Sequence, residues 1–173
     1  RFGRKAKTLM DSPEYKEVFP TRLREDSQAA GRWETAQGGE YFAAGVGGAI
    51  TGRGADLLII DDPHSEQDAL NLTALERAYE WYTSGPRQRL QPGGQIICVM
   101  TRWNVKDLTG MLMQAQSEAK ADQWELVEFP AIMPSGKPVW PEYWKLGELE
   151  TVKASLSLGK WNAQWMQNPT SEE

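Results

Sequence analysis

Two short apolar runs constrain this chain more than any other feature. Leu57-Leu58-Ile59-Ile60 ends in Asp61-Asp62-Pro63, and Ile96-Ile97-Cys98-Val99-Met100 ends in Thr101-Arg102. Both are bounded by Gly or Pro, and neither alternates polar with apolar. That pattern suits strands covered on both faces, as in a parallel sheet. Between the runs, residues 73–84 (TALERAYEWYTS) carry a helical pattern, with Thr73 and Glu76 spaced as a capping box. Strand, helix, strand over this span is a βαβ unit, whose crossover is right-handed. The expected class is therefore α/β, a parallel sheet flanked by helices.

The flanking segments add smaller elements. Residues 1–30 are polar and charged, with short helices expected near 11–17 and 21–30. Residues 32–36 and 40–44 surround Gln37-Gly38-Gly39 and read as a hairpin. A glycine-rich stretch follows at 45–56. A helix is expected over 105–118 with Asn104 as N-cap. WELVEF (124–129) reads as a further strand closed by Pro130. A Trp- and Pro-rich segment (138–144) precedes helices near 146–157 and 159–167.

Composition removes several function classes. A net charge of -5 argues against a dedicated DNA-binding module, which carries a basic patch to displace counterions. One cysteine and one histidine exclude an internal disulfide and a cysteine-based zinc site. Any metal should be a hard ion held by carboxylates. Cys98, inside an apolar run, reads as a buried structural thiol. No apolar run approaches the roughly 18 residues of a membrane span. Residues 1–10 are basic but lack the apolar core of a signal peptide. The chain has no initiator Met, so it is expected to begin inside a longer protein.

Ligands collect at the C-terminal ends of strands in α/β sheets. A buried run delivering Asp61 and Asp62 to that edge matches the Walker B pattern of P-loop ATPases. In that pattern Asp61 holds Mg²⁺ through its water shell, and Asp62 orients the water that attacks the γ-phosphate of ATP. The plainer alternative is a strand-ending turn, since Asp and Pro are common there. His64 reads as a loop residue. Thr101 and Arg102 end the second run, where in P-loop motors a polar residue can sense the γ-phosphate through one hydrogen bond. The alternative is a strand-terminal Thr with a surface-paired Arg. Arg87 and Arg89 are candidates to cluster with Arg102 at that edge, with a solvated basic face as the equal alternative.

Gly47-Gly48-Ala49-Ile50-Thr51-Gly52-Arg53-Gly54 nearly fits the phosphate-loop pattern G-x-x-x-x-G-K-[ST]. It fails on residue types, with Arg53 for Lys and Gly54 for the hydroxyl. It also precedes a strand, whereas a phosphate loop opens a helix. Arg53 is kept as a candidate phosphate-reaching guanidinium, in its own site or a neighbour's. Among eight Trp residues, Trp161 and Trp165 stand i, i+4 on an expected helix, which favours packing over base stacking.

Taken in order, GGAITGRGADLLIIDDP (47–63), RLQPGGQIICVMTRWNVKDLTG (89–110), WELVEFPAI (124–132), VWPEYW (139–144) and WNAQWMQNP (161–169) resemble the large subunit of tailed-phage terminases. The resemblance spans about residues 18 to 169. It implies a P-loop NTPase of the ASCE, RecA-like kind, N-terminally truncated. Residues 1–173 would be part of the ATPase domain, with 138–173 its Trp-rich C-terminal end. It matches Asp61 to the magnesium carboxylate and Asp62 to the catalytic carboxylate, where many relatives have Glu. Thr101 falls in the coupling motif with Arg102 after it, and Arg53 looks like an arginine finger acting across subunits. ATP hydrolysis in the full-length protein would drive double-stranded DNA into a procapsid. A homo-oligomeric ring would work with the portal protein and small terminase subunit in the host bacterial cytoplasm, from a phage or prophage gene. The phosphate loop and the RNase H-like nuclease would lie outside this chain, which alone would neither hydrolyse ATP nor cut DNA. Two alternatives stay open: a helicase-like P-loop ATPase, and a non-catalytic truncated assembly fragment.

Overall fold

The architecture is mixed α/β, with a small parallel sheet flanked by helices. The computed structural model describes residues 2–27, 29–50 and 52–170. The chain divides into two units, Arg1–Ile50 and Thr51–Glu173.

The first unit holds α1 (Phe2–Asp11), α2 (Pro13–Val18), β1 (Arg32–Glu34) and β2 (Glu40–Phe42). Ser12 caps α2 by accepting from Tyr15 N at 3.2 Å, and Pro13 opens the helix, where its missing N–H is not needed. β1 and β2 form the expected hairpin, with Trp33 opposite Tyr41. Those two rings stack at 4.8 Å, and the buried indole Nε1 donates to Gly3 O. Gly38, at φ 88, makes the left-handed step of the turn, and Thr35 Oγ1 accepts from Gly39 N at 2.9 Å. No helix forms over the described part of residues 21–30. That segment instead runs beside β1: Leu23 bridges Thr35, and Arg24 N donates to Glu34 O at 3.0 Å. Gln28 lies outside the described residues. The unexpected element is α1, over residues read from sequence only as polar.

The second unit begins with β3 (Ala55–Asp61), then α3 (Leu72–Ser84), β4 (Leu90–Val99), α4 (Leu108–Ala115) and α5 (Leu146–Ala154). A short α6 (Leu158–Lys160) runs into a single π turn, Trp161–Trp165. β3 and β4 are parallel, with Leu58 opposite Ile96, Ile60 opposite Cys98 and Asp61 opposite Val99. The βαβ expectation therefore holds, and β4 extends upstream of the apolar run. Two caps differ from expectation. Asn71 caps α3 by accepting from Ala74 N at 3.2 Å, so Thr73 falls inside the helix. Asp107 caps α4 by accepting from Gly110 N at 2.9 Å, because Asn104 lies in the turn before it.

The sheet is covered on one face only among the described residues. Ile60, Tyr82, Leu108 and Leu112 form the core, with Leu58, Ile96 and Cys98 packed against it. α3 and α4 supply that cover. The alternate side chains Leu57, Ile59, Ile97 and Val99 are exposed. Both-face burial, inferred from the non-alternating runs, is thus met on one face. Residues 124–129 form no strand: the backbone N–H groups of 125–129 make no hydrogen bond among the described residues. A second core joins Ala131, Leu149 and Trp161. There Trp161 stacks on Trp165 at 5.8 Å and Trp144 meets Trp165 edge-on, so this pair packs as its spacing suggests.

Adjacent strand positions should therefore differ sharply in energetic weight. Ile60 is 5% exposed and Ile59 60% exposed. Ile60→Ala is expected to lose about 2–5 kcal/mol of stability, whereas Ile59→Thr should stay within about 0.5 kcal/mol. Urea denaturation of the two variants checks this.

Candidate functional site

The rim at the C-terminal ends of β3 and β4 gathers most of the candidate residues. Parallel pairing carries Asp61 to the end of β3 opposite Val99, and the chain reaches Thr101 two residues later on the neighbouring strand. Pairing continues one residue past β3, since Asp62 N donates to Val99 O at 2.9 Å. The Asp62 backbone then turns left-handed, at φ 43, a region that Asp tolerates better than most residues. In that conformation its carboxylate accepts from Thr101 N at 3.1 Å. Asp61 and Asp62 are both exposed.

A second left-handed residue clamps the next amide. Gln167, at φ 56, accepts through Oε1 from Arg102 N at 3.1 Å. Asp62 and Gln167 are the two non-glycine residues with positive φ among the described residues. Both are placed where a side-chain oxygen fixes a successive N–H after β4. Backbone strain of this kind persists only where surroundings hold it, and it concentrates at sites that must be rigid.

The Arg102 guanidinium is engaged within the fold. Its Nε donates to Asp107 at 3.0 and 3.1 Å, and Nη2 reaches Asn104 O at 3.5 Å. Asp107 is fully buried and also accepts from Trp103 N, Asn104 N and Gly110 N. This carboxylate is a structural hub: removing one partner of a buried pair costs about 3–5 kcal/mol. The structure thus places Arg102 beside the rim in an ion pair with a buried carboxylate, rather than in the surface pair of the plainer expectation.

His64 lies in the loop after β3, as its sequence context suggests, and is buried there. Its Nε2 accepts from Leu108 N at 2.9 Å, at the start of α4. An accepting Nε2 requires the neutral ring protonated on Nδ1, and Nδ1 is buried without a partner. Burial holds the His64 pKa below the usual 6.5, outweighing attraction from Asp107 and Asp68. Burial also pushes the Cys98 thiol up to about 11, which fits an inert thiol.

Arg53 is not brought to this rim. It precedes β3, and the carboxylates close β3, so the strand's seven residues separate them by roughly 20 Å. The sequence placed Arg53 near the carboxylate edge; strand direction puts it at the opposite end. Arg53 therefore stands apart from Asp61 and Asp62 along β3. The same direction separates Arg87 and Arg89, which lie before β4, from Arg102, which lies after it. Arg87 pairs with Asp122. No helix follows the glycine stretch: Gly47 and Gly52 are left-handed, and β3 starts at Ala55. Thr51, within that stretch, lies outside the described residues.

Among the described residues, no group of three or more His, Cys, Asp or Glu could hold a metal by itself. An exposed Asp61 suits a magnesium ion that keeps most of its water and arrives with phosphates, which needs one or two carboxylates. A groove of about 660 Å³ runs along the other edge of β4 toward 123–129, and its lining includes Arg102 and Gln167 but neither Asp61 nor Asp62. Sequence reading missed Asp107, Gln167 and Gly110. Asp107 has a visible signal, an N-cap residue type directly before the apolar LTGMLM. Gln167 has none, because its contact lies 65 residues away. No helix among the described residues is long and apolar enough to cross a membrane. Compared with known proteins, the chain matches no family model and none of the characterised sequences.

Two outcomes follow from this geometry. Because the folded pKa of His64 is depressed, its contribution is complete above about 6.5 and is lost as pH falls from there through the folded value. Stability should decline with acid in that window, and His64→Gln should flatten the slope, read by denaturation at stepped pH. A Cβ on Gly110 would drive into the Val105 carbonyl and crowd Arg102. Gly110→Ala is expected to cost about 1–3 kcal/mol, measured by urea titration.

Proposed function

We propose that this chain is the magnesium- and water-handling part of an ATP-hydrolysing DNA-packaging motor of the terminase large-subunit kind, on a P-loop NTPase framework. The observation that carries the reading is the joined rim. Asp61 closes β3 in register with β4, and the adjacent Asp62 carboxylate is fixed by the Thr101 amide. The ordered sequence segments that resemble terminases add the choice of motor among P-loop enzymes.

In this reading Asp61 holds magnesium through its water shell, and the ion supplies charge neutralisation to the phosphates when bound. Asp62 keeps one carboxylate oxygen on Thr101 N and offers the other to a water molecule as base or orienter. Thr101, directly bonded to Asp62, is placed to report the state of that carboxylate to α4 and beyond. Arg53, at the far end of β3, serves a neighbouring subunit's nucleotide, which makes the assembly a ring. The phosphate loop comes from chain outside these residues. Double-stranded DNA, the portal protein and the small subunit are the partners that this function entails, in the host cytoplasm.

The test uses a chain that also carries a phosphate loop, assayed for ATP turnover and nucleotide binding. Asp62→Asn should lower kcat by about 10²–10⁴-fold with nucleotide affinity retained. Asp61→Asn should weaken magnesium-dependent nucleotide binding. Near-normal turnover in Asp62→Asn would refute the assignment.

A further inference from the structure

The rim and the start of α4 form a closed ring of interactions. Asp62 accepts from Thr101 N at 3.1 Å. The next residue, Arg102, donates to Asp107 at 3.0 Å. The residue after Asp107 is Leu108, whose N–H donates to His64 Nε2 at 2.9 Å. His64 is two residues from Asp62, across the stiff Pro63. Three noncovalent links are therefore joined by covalent steps of one or two residues. Such short steps transmit a displacement rather than absorb it, because each is a peptide unit with few soft torsions. Gln167 holds the Arg102 amide from outside the ring, which limits how far that corner moves alone.

We infer that His64 is a positioning residue: it holds Asp62 in its left-handed, Thr101-bonded conformation by anchoring the chain after it to α4. The reverse also holds, because coupling between two sites is reciprocal. A change at Asp62 loosens the Leu108 amide, and a change at Leu108 or His64 loosens the Thr101 amide. His64 is suited to this as a buried acceptor whose partner is a helix-initiating N–H, a bond it makes only in the Nδ1-protonated neutral form. The inference rests on the proposed ATPase reading only for what the positioned carboxylate does; the coupling itself rests on the ring.

The test is amide hydrogen exchange, followed by NMR on the full 173-residue chain without nucleotide. His64→Met removes the acceptor at similar bulk, and His64→Gln places an oxygen where Nε2 stood. Exchange at the Thr101 amide should accelerate about three- to tenfold in His64→Met, the equilibrium weight of one net hydrogen bond. It should return toward the parent rate in His64→Gln, with Ala78 and Tyr82 in α3 unchanged in both. A Thr101 rate that does not move, a uniform acceleration across α3, or no recovery with Gln would overturn the inference. Should His64→Met fail to fold, the reciprocal pair decides. Asp62→Gly keeps the left-handed backbone but loses the acceptor, and should speed exchange at Leu108. Asp62→Asn retains an acceptor and should not. Equal Leu108 rates in those two variants would overturn the inference. Near-normal ATP turnover of Asp62→Asn in a chain that also carries a phosphate loop, with this coupling intact, would count against the functional reading alone.

Discussion

The parallel pairing of β3 with β4 decides where every other part of the site falls. Asp61 stands opposite Val99, so the residues following both strands emerge at one level. A slip of one residue would carry Ile60 out of the helix-covered face and send an Asp toward the core. Two parallel strands are marginal by themselves. The register is kept by what lies beneath: Ile60 meets Tyr82, Leu108 and Leu112, contributed by α3 and α4. Hydrophobic burial on one face therefore sets the polar geometry at the strand ends.

Polar satisfaction completes what burial begins. Asp107 has no solvent access and receives donors from Arg102, Trp103, Asn104 and Gly110. A buried carboxylate is tolerable only when such donors replace its hydration. The same contacts hold the turn after β4 against the start of α4. Arg102 thus contributes through the shape of this turn rather than through a charge offered to solvent.

The parts of the fold that depend on local pattern were legible in the sequence. The runs at 57–60 and 96–100, the helix between them and the hairpin around Gly38 all follow from periodicity and turn residues. Trp161 and Trp165 pack as their spacing suggests. What escaped depends on contacts distant in sequence. The caps moved from Asn104 to Asp107 and from Thr73 to Asn71, because several cap-forming residues stand within a turn of each other and tertiary contacts choose among them. WELVEF has strand-like residues, yet Leu126, Val127 and Phe129 are exposed, and no strand among the described residues pairs with them. Arg53 illustrates a different failure. Adjacency in sequence suggested nearness to Asp61, and the direction of an extended strand turned that adjacency into separation.

β4 pairs on one side only among the described residues. Its outer edge presents a row of amide and carbonyl groups flanked by aliphatic side chains, and an edge of that kind is a template for another strand. The sheet's uncovered face adds Leu57, Ile59, Ile97 and Val99 to the adhesive area. Encounters between identical molecules scale with the square of concentration, whereas folding of a single molecule does not depend on it. Association through this edge would therefore grow with concentration, whereas the rim at the strand ends is set within one molecule.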